Sequence, residues 1–238
     1  MEKTTEENER TTYVRSMFNS IAKNYDFLNH FLSGGVDVWW RNKAMQLLLP
    51  FQPKKILDVA CGTGDFSIAA AQKISPQEII GVDIADEMLH IGRKKIAKKN
   101  LQHIIYLETG DAEHLQFDGH YFDAAIVAFG VRNFAHLEKG LQEMQRVLSE
   151  NGVILILEFS KPQGFIFRQL YFFYFKNILP LIGKIFSQHK EAYNYLPNTV
   201  MNFPDGERFL HILKSIGFKN LSATQLTFGI ATIYIAQK

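Results

Sequence analysis

The sequence predicts an α/β fold: a doubly wound, mostly parallel sheet of seven strands that ends in an antiparallel hairpin. Three observations predict it. Short apolar runs alternate with segments of helical periodicity through the middle of the chain. The first of these runs ends in a glycine turn. The last two runs are separated by a short turn alone.

Residues 1–12 (MEKTTEENERTT) are polar throughout and are expected to form a disordered leader. From 13 to 31, Val14, Phe18, Ile21, Ala22, Tyr25 and Leu28 recur at helical spacing. A second helical stretch over 38–49 stops at Pro50. Residues 55–60 (KILDVA) form the first strand, 65–73 a helix, 78–83 (EIIGVD) the second strand and 87–99 the next helix. Strands over 104–108 and 122–129 (FDAAIVAF), a helix over 137–148 and a strand over 152–158 (GVILILE) complete the alternation. Runs this apolar belong to a parallel sheet covered on both faces. After Phe159 the alternation lapses until a helix over 205–215, with Gly217 as its stop. Strands over 219–225 and 228–236 then pair as the hairpin. Strand–helix units followed by a helix and a terminal hairpin are the layout expected of class I methyltransferases. A plain dinucleotide-binding sheet has no reason to end this way. The expected organisation is one domain over 13–238, with cover helices at 13–50 and an aromatic lid insertion at about 160–204.

Composition narrows the partners. The 26 basic and 24 acidic side chains leave a net charge of +2, so the chain offers no polycation to nucleic acid. With 47% hydrophobic and 21% charged residues it is not a disordered chain. The single cysteine, Cys61, excludes a disulfide framework and points to a reducing compartment. The amino terminus lacks the apolar core of a secretory signal, and no stretch reaches the roughly 18 uncharged apolar residues of a membrane span. A cytoplasmic protein is expected, without a metal, since the histidines show no ligand spacing. An oligomer is compatible with the sequence. Arg93, Lys94, Lys95, Lys98 and Lys99 read as the solvated face of a helix rather than a nucleic-acid patch.

The chemistry begins at Asp58-Val-Ala-Cys-Gly62-Thr63-Gly64-Asp65, between the first strand and its helix. Gly62 and Gly64 let backbone approach a ligand closely. NAD proteins place a third glycine where helix meets strand, a position held here by Ser67. Asp83 ends the second strand, where a carboxylate accepts both hydroxyls of an adenosine ribose. Asp58 ends the first, where a carboxylate suits a cationic amino-acid tail and repels a pyrophosphate. Gly110-Asp111-Ala112 follows the third, where Asp111 accepts the adenine amino group. One loop and three acids at successive strand ends make S-adenosylmethionine the expected ligand. In Phe129-Gly130-Val131-Arg132-Asn133-Phe134, after the fourth strand, Arg132 and Asn133 fall in the crevice at the carboxyl ends of the strands.

The segments YVRSMFNSIAKNYDFLN (13–29), LDVACGTGD (57–65), FGVRNF (129–134), LEFSKP (157–162) and YNYL (193–196) together resemble the menaquinone/ubiquinone biosynthesis C-methyltransferases. The resemblance runs from about Tyr13 to the carboxyl terminus, and FGxRN followed by LEFS is its discriminating pair. It implies methylation of a ring carbon of a polyprenylated quinol, 2-demethylmenaquinol to menaquinol in the usual case. It puts Thr63, Asp83, Asp111 and Ala112 on cofactor-binding positions. Two departures are visible: Ala128 stands where some relatives carry serine, and Glu150-Asn151-Gly152 replaces a Pro-Gly-Gly turn.

A quinol with one ionised hydroxyl is electron-rich at its ring carbons and is held best by a fixed guanidinium in a dry pocket. That role falls to Arg132, with Asn133 orienting the ring oxygen or a bridging water. Tyr25, Phe129 and Tyr193 are candidates for the walls of the ring pocket, with core tyrosine as the competing explanation for the two phenols. His136 is the nearest histidine, and an exposed helix residue is its simpler reading. The aromatics between Phe165 and Phe175 read either as a helix on its own sheet or as a lid that collects a prenyl tail at a membrane surface. Naphthoquinol and benzoquinol rings, other small-molecule methyl acceptors, and a subunit that binds the cofactor without turnover all stay open at this point.

Overall fold

The computed structural model describes residues 2–162, 164, 169 and 190–238. Helix α1 spans Glu2–Leu32 and α2 Val36–Leu48. The alternating region contains β1 (Lys55–Val59), α3 (Asp65–Ile74), β2 (Glu78–Asp83), α4 (Asp86–Lys98), β3 (Ile105–Thr109), β4 (Phe122–Ala128), α5 (Leu137–Val147) and β5 (Leu148–Phe159). After the insertion come α6 (Lys190–Asn202), α7 (Glu207–Ile216), β6 (Lys219–Leu226) and β7 (Ala231–Gln237). No helix among the described residues is long and apolar enough to cross a membrane.

The seven strands form one sheet in the order β3-β2-β1-β4-β5-β7-β6. Pairing is parallel from β3 to β5 and antiparallel from β5 through β7 to β6. The order reverses between β1 and β4, which opens a crevice at the carboxyl ends of those strands. Each strand feeds both faces of the core. Along β4, Ala124 and Ile126 pack toward α2, α3 and α4, whereas Ala125 and Val127 pack toward α5 and α7.

Three sequence expectations are corrected. Residues 2–12 are not a disordered leader but the first turns of α1. No proline or glycine interrupts residues 1–32, and Glu, Lys, Arg and Met propagate a helix whose later turns are packed. Helix α6 crosses the stretch in which the alternation lapses, to which the sequence assigns no element of its own. Pro197 sits inside it and hides it from a reading that takes proline as a breaker. Finally, β5 begins at Leu148, ahead of the expected turn. Phe122 pairs with Leu148, and the register slips before Ala124 pairs with Val153, so Glu150-Asn151-Gly152 lies in a bulged stretch of the strand. The hairpin turn occupies Thr227–Gly229, and β7 starts accordingly at Ala231. Of the expected lid over about 160–204, residues 163, 165–168 and 170–189 lie outside the described residues, and with them its aromatic cluster.

Candidate active site

The loop after β1 passes through left-handed conformations at Ala60 (φ 53°), Gly62 (φ 56°) and Gly64 (φ 75°). These bends turn the chain from the strand into α3 and leave its backbone bare toward the crevice. A Cβ at Gly62 would meet nothing within 4 Å, so the space over the loop is free for a ligand. Asp83 holds the loop from β2. Its Oδ2 accepts the Gly62 N–H at 2.8 Å and its Oδ1 the Ala85 N–H at 2.9 Å. Each oxygen keeps a further lone pair for a ligand hydroxyl. Burial pushes the Asp83 carboxyl up, while those backbone donors pull it down.

Two stretches of cleft meet at this loop and share Tyr25, Ala60, Gly62, Ala128 and Phe129. One runs past Asp83, Ile84, Met88, Asp111 and Ala112, with Thr11, Val14 and Phe18 of α1 facing them. It has an acidic end and apolar walls, which suit a nucleoside. Asp111 braces its own turn through Oδ1, which accepts the Glu113 N–H at 2.9 Å. The other stretch is polar, lined by Asn29, Arg41, Asp58, Thr63 and Asp65. Arg41 is held by Asp37 at 2.7 Å and lies 3.9 Å from Asp65. One fixed cation among carboxylates matches a zwitterionic amino-acid end.

Asp58 carries the clearest sign of a missing cationic partner. It is fully buried; Oδ2 accepts the Ser67 hydroxyl at 2.5 Å, and Oδ1 has no partner among the described residues. Burial pushes its carboxyl up to about 7 against the pull of Ser67. Between the unfolded value and that one the native chain binds the extra proton, so this group's contribution to stability is lost as pH rises toward 7. A bound ammonium favours the ionised form, so binding releases the proton below that pH. Cofactor affinity is therefore expected to fall as pH drops below about 7, by up to about tenfold per unit. Asp58→Asn should lose this dependence. Titration calorimetry in buffers of different ionisation enthalpy reads the released proton, and a flat affinity through the acid range contradicts the assignment.

Thr63 lines the polar stretch, but its hydroxyl is turned elsewhere. It donates to Asp26 Oδ1 at 2.6 Å and accepts from Lys95 Nζ at 3.0 Å. Lys95 also pairs with Asp26 at 2.8 Å and with Asp65. This cluster ties α1 to α4 across the glycine loop. The basic run is otherwise the solvated face expected, with Arg93, Lys94, Lys98 and Lys99 exposed; Lys95 alone turns into this cluster, and Arg93 also donates to the Leu107 carbonyl at 2.8 Å. Asp26, Arg41 and Lys95 were missed by the sequence reading; no motif joins residues so far apart in the chain.

At the end of β4, Phe129 takes φ 58° and Gly130 packs tightly, since a Cβ there would lie 2.7 Å from that of Ala60. The chain then makes a 3₁₀ turn over Val131–Asn133. Asn133 lines the nucleoside stretch, and its Oδ1 is buried without a partner among the described residues. Arg132 lines neither stretch. It is 7% exposed, and its Nη1 donates to Glu158 Oε1 at 2.8 Å and to the Phe129 carbonyl. Phe159 lies 5.3 Å beneath the guanidinium and packs on Phe129, with ring centroids 4.5 Å apart. Tyr25 lines both stretches, and burial raises its phenol. Tyr193 falls on α6 with its side chain outside the description. Nearby on the same helix, Tyr195 has a buried hydroxyl without a partner among the described residues and senses the charge of Arg132. His136 precedes α5 and engages Glu113, through its backbone N–H at 2.8 Å and its ring Nδ1 at 2.8 Å.

A cleft with an acidic, apolar-walled stretch and a polar stretch, set at the switch point of this sheet, is that of a class I S-adenosylmethionine-dependent methyltransferase. Solved structures share the architecture. An S-adenosylmethionine-dependent methyltransferase of Methanococcus maripaludis, described as putative, superposes with a TM-score of 0.64 at 22% identity, over 92% of this chain and 93% of that one. A methyltransferase of Thermotoga maritima, described as a possible histamine N-methyltransferase, gives 0.63 at 19% identity, over 92% and 98%. At these identities the likeness is one of fold. The family follows from sequence: the chain belongs to the ubiE/COQ5 methyltransferase family, whose model matches residues 3–238. It is 44% identical to the demethylmenaquinone methyltransferase of Bacteroides fragilis, over 96% of this chain and 94% of the relative. It is 42% identical to the ubiquinone/menaquinone biosynthesis C-methyltransferase UbiE of Geobacter sulfurreducens, over 100% and 92%.

Proposed function

We propose that this chain methylates a ring carbon of a polyprenylated demethylmenaquinol, yielding menaquinol. The observation that carries the reading is the turn after β4. There a buried guanidinium and an amide oxygen without a partner among the described residues come from adjacent positions, next to the glycine loop. The names of the two relatives point to the same chemistry.

S-adenosylmethionine, when bound, supplies a methyl group on a positively charged sulfur. Asp58, Asp65 and Arg41 hold its amino-acid end, Asp83 its ribose, and Asp111 and Ala112 its base. Thr63 lines the amino-acid stretch and, through Asp26 and Lys95, keeps α1 closed over the loop. Arg132 stabilises the oxyanion of the quinol once a hydroxyl is ionised, a charge effect that a water-excluding site strengthens. Asn133 orients the ring oxygen or the water that takes its proton. Phe129 and Tyr25 bound the ring, and Tyr195 joins them from α6. In this reading residues 13–50 cover the cofactor, and the prenyl tail leaves past the 160–204 insertion toward a membrane surface.

The test is direct. Purified protein is given S-adenosylmethionine and chemically reduced demethylmenaquinol, with the matching demethylated benzoquinol in a parallel reaction. The expected product gains one methyl group on the naphthalene ring, read by mass spectrometry. Methylation of the benzoquinol alone moves the reading to the ubiquinone ring, and methylation of neither removes it.

A further inference from the structure

Glu158 ends the apolar run of β5, and nothing in the cleft chemistry above employs it. Its carboxylate has no exposed surface, yet among the described residues its hydrogen bonds all go to one neighbourhood. Oε1 accepts Arg132 Nη1 at 2.8 Å and its neighbour Phe159 N–H at 2.9 Å, while Oε2 accepts the Arg132 backbone N–H at 3.3 Å. Both the backbone and the guanidinium of Arg132 are thus held by one side chain. Phe159 beneath the guanidinium and the Phe129 carbonyl at its edge complete the seat.

A buried ion pair seldom adds stability, because the cost of removing both charges from water offsets their attraction. Its better-attested use is orientation. An arginine side chain in solution samples many rotamers, and a guanidinium that must meet a developing oxyanion works best when its position is set beforehand. Beside this pair lie three buried polar atoms without partners among the described residues: Arg132 Nε, Asn133 Oδ1 and the Tyr195 hydroxyl. Two come from the turn after β4 and the third from α6, which packs on that turn. The pair therefore stands at the edge of a place prepared for a polar ligand.

We propose that Glu158 is a positioning residue of the methyl transfer: it clamps Arg132 so that the guanidinium edge not engaged by the carboxylate faces the quinol oxygen. The proposal rests on the reading of Arg132 given above. Burial raises the Glu158 carboxyl, and the neighbouring Arg132 charge and the hydrogen bonds it receives pull it back. The Glu158 charge is felt at the phenols of Tyr195 and Tyr234, and the Arg132 charge at those of Tyr25 and Tyr195. Glu158 lines neither stretch of the cleft, so its influence on the reaction runs through Arg132.

The experiment compares E158Q, R132A and the double variant, with turnover number, KM for quinol, cofactor affinity and melting temperature measured for each full-length protein. E158Q is expected to lower turnover by about one to two orders of magnitude, with KM and cofactor affinity within about threefold of wild type. The double variant should turn over no more slowly than R132A alone, because a clamp has no effect without the group it clamps. Two results overturn the proposal: wild-type turnover in E158Q, or a double variant slowed by the product of the single effects. Should E158Q fail to fold, E158D keeps the charge but shortens the reach, and lowered turnover at unchanged KM is again required. Wild-type turnover in R132A overturns the underlying reading as well; a slow R132A beside a fully active E158Q overturns this inference alone.

Discussion

Arg132→Ala is expected to reduce turnover by about 10²–10³-fold while leaving cofactor affinity close to that of wild type. The size follows from the setting. The guanidinium is 7% exposed, lies over an aromatic ring and is held by a carboxylate with no exposed surface. Little water remains to screen the charge it offers, so an oxyanion formed beside it loses most of its stabilisation on truncation. The selectivity follows from position, since Arg132 lies outside both stretches of the cofactor cleft. The substitution also strands Glu158, and a buried charge without its partner costs about 3–5 kcal/mol, or draws a proton instead. A lowered melting temperature should therefore accompany the loss of rate, and Arg132→Lys, which keeps the charge, should recover part of the melting loss. Initial rates at saturating cofactor, with calorimetric titration of the cofactor, check the claim. Undiminished turnover removes the guanidinium from the reaction.

The second large effect is its mirror image. Asp83→Ala is expected to weaken cofactor binding by at least about a hundredfold while sparing turnover at saturation. Hydrogen bonds to a charged group are worth roughly 1.5–3 kcal/mol each, and ribose hydroxyls provide two. The loss has a second source, because Asp83 also holds the Gly62 and Ala85 N–H groups and with them the shape of the loop. Asp83→Asn keeps an acceptor of the same shape and should fall between the two. Titration calorimetry reads both variants, and a dissociation constant unchanged in Asp83→Ala would mean that the ribose is held elsewhere. Together the two substitutions are expected to separate binding from chemistry, one moving affinity and the other rate.

Much of this was legible in the chain. The second strand was read with the bounds it has, 78–83, because a short β-branched run between a helix and an aspartate has few other conformations. The glycine loop and the aspartates at 58, 83 and 111 were legible for a related reason: they lie at the ends of strands that the apolar pattern marks. Where that pattern failed, so did the reading. The polar start of α1 carries no stripe, α6 contains a proline, and β5 absorbs a bulge that resembles a turn. Arg132 was picked out, but as a group facing the crevice; its engagement with a carboxylate 26 positions away was not foreseen.

By itself, then, the sequence determined the alternation of elements, the class of cofactor and the family, because each is written in neighbouring residues whose spacing obeys local stereochemistry. Tertiary structure alone decided which distant side chains share a charge. Asp26, Thr63 and Lys95 close α1 over the loop, and Glu158 takes hold of Arg132. Such pairs depend on strand order and on which face each strand turns to which helix, and once buried their energies depend on the water excluded around them. Neither quantity is carried by residues adjacent in the chain.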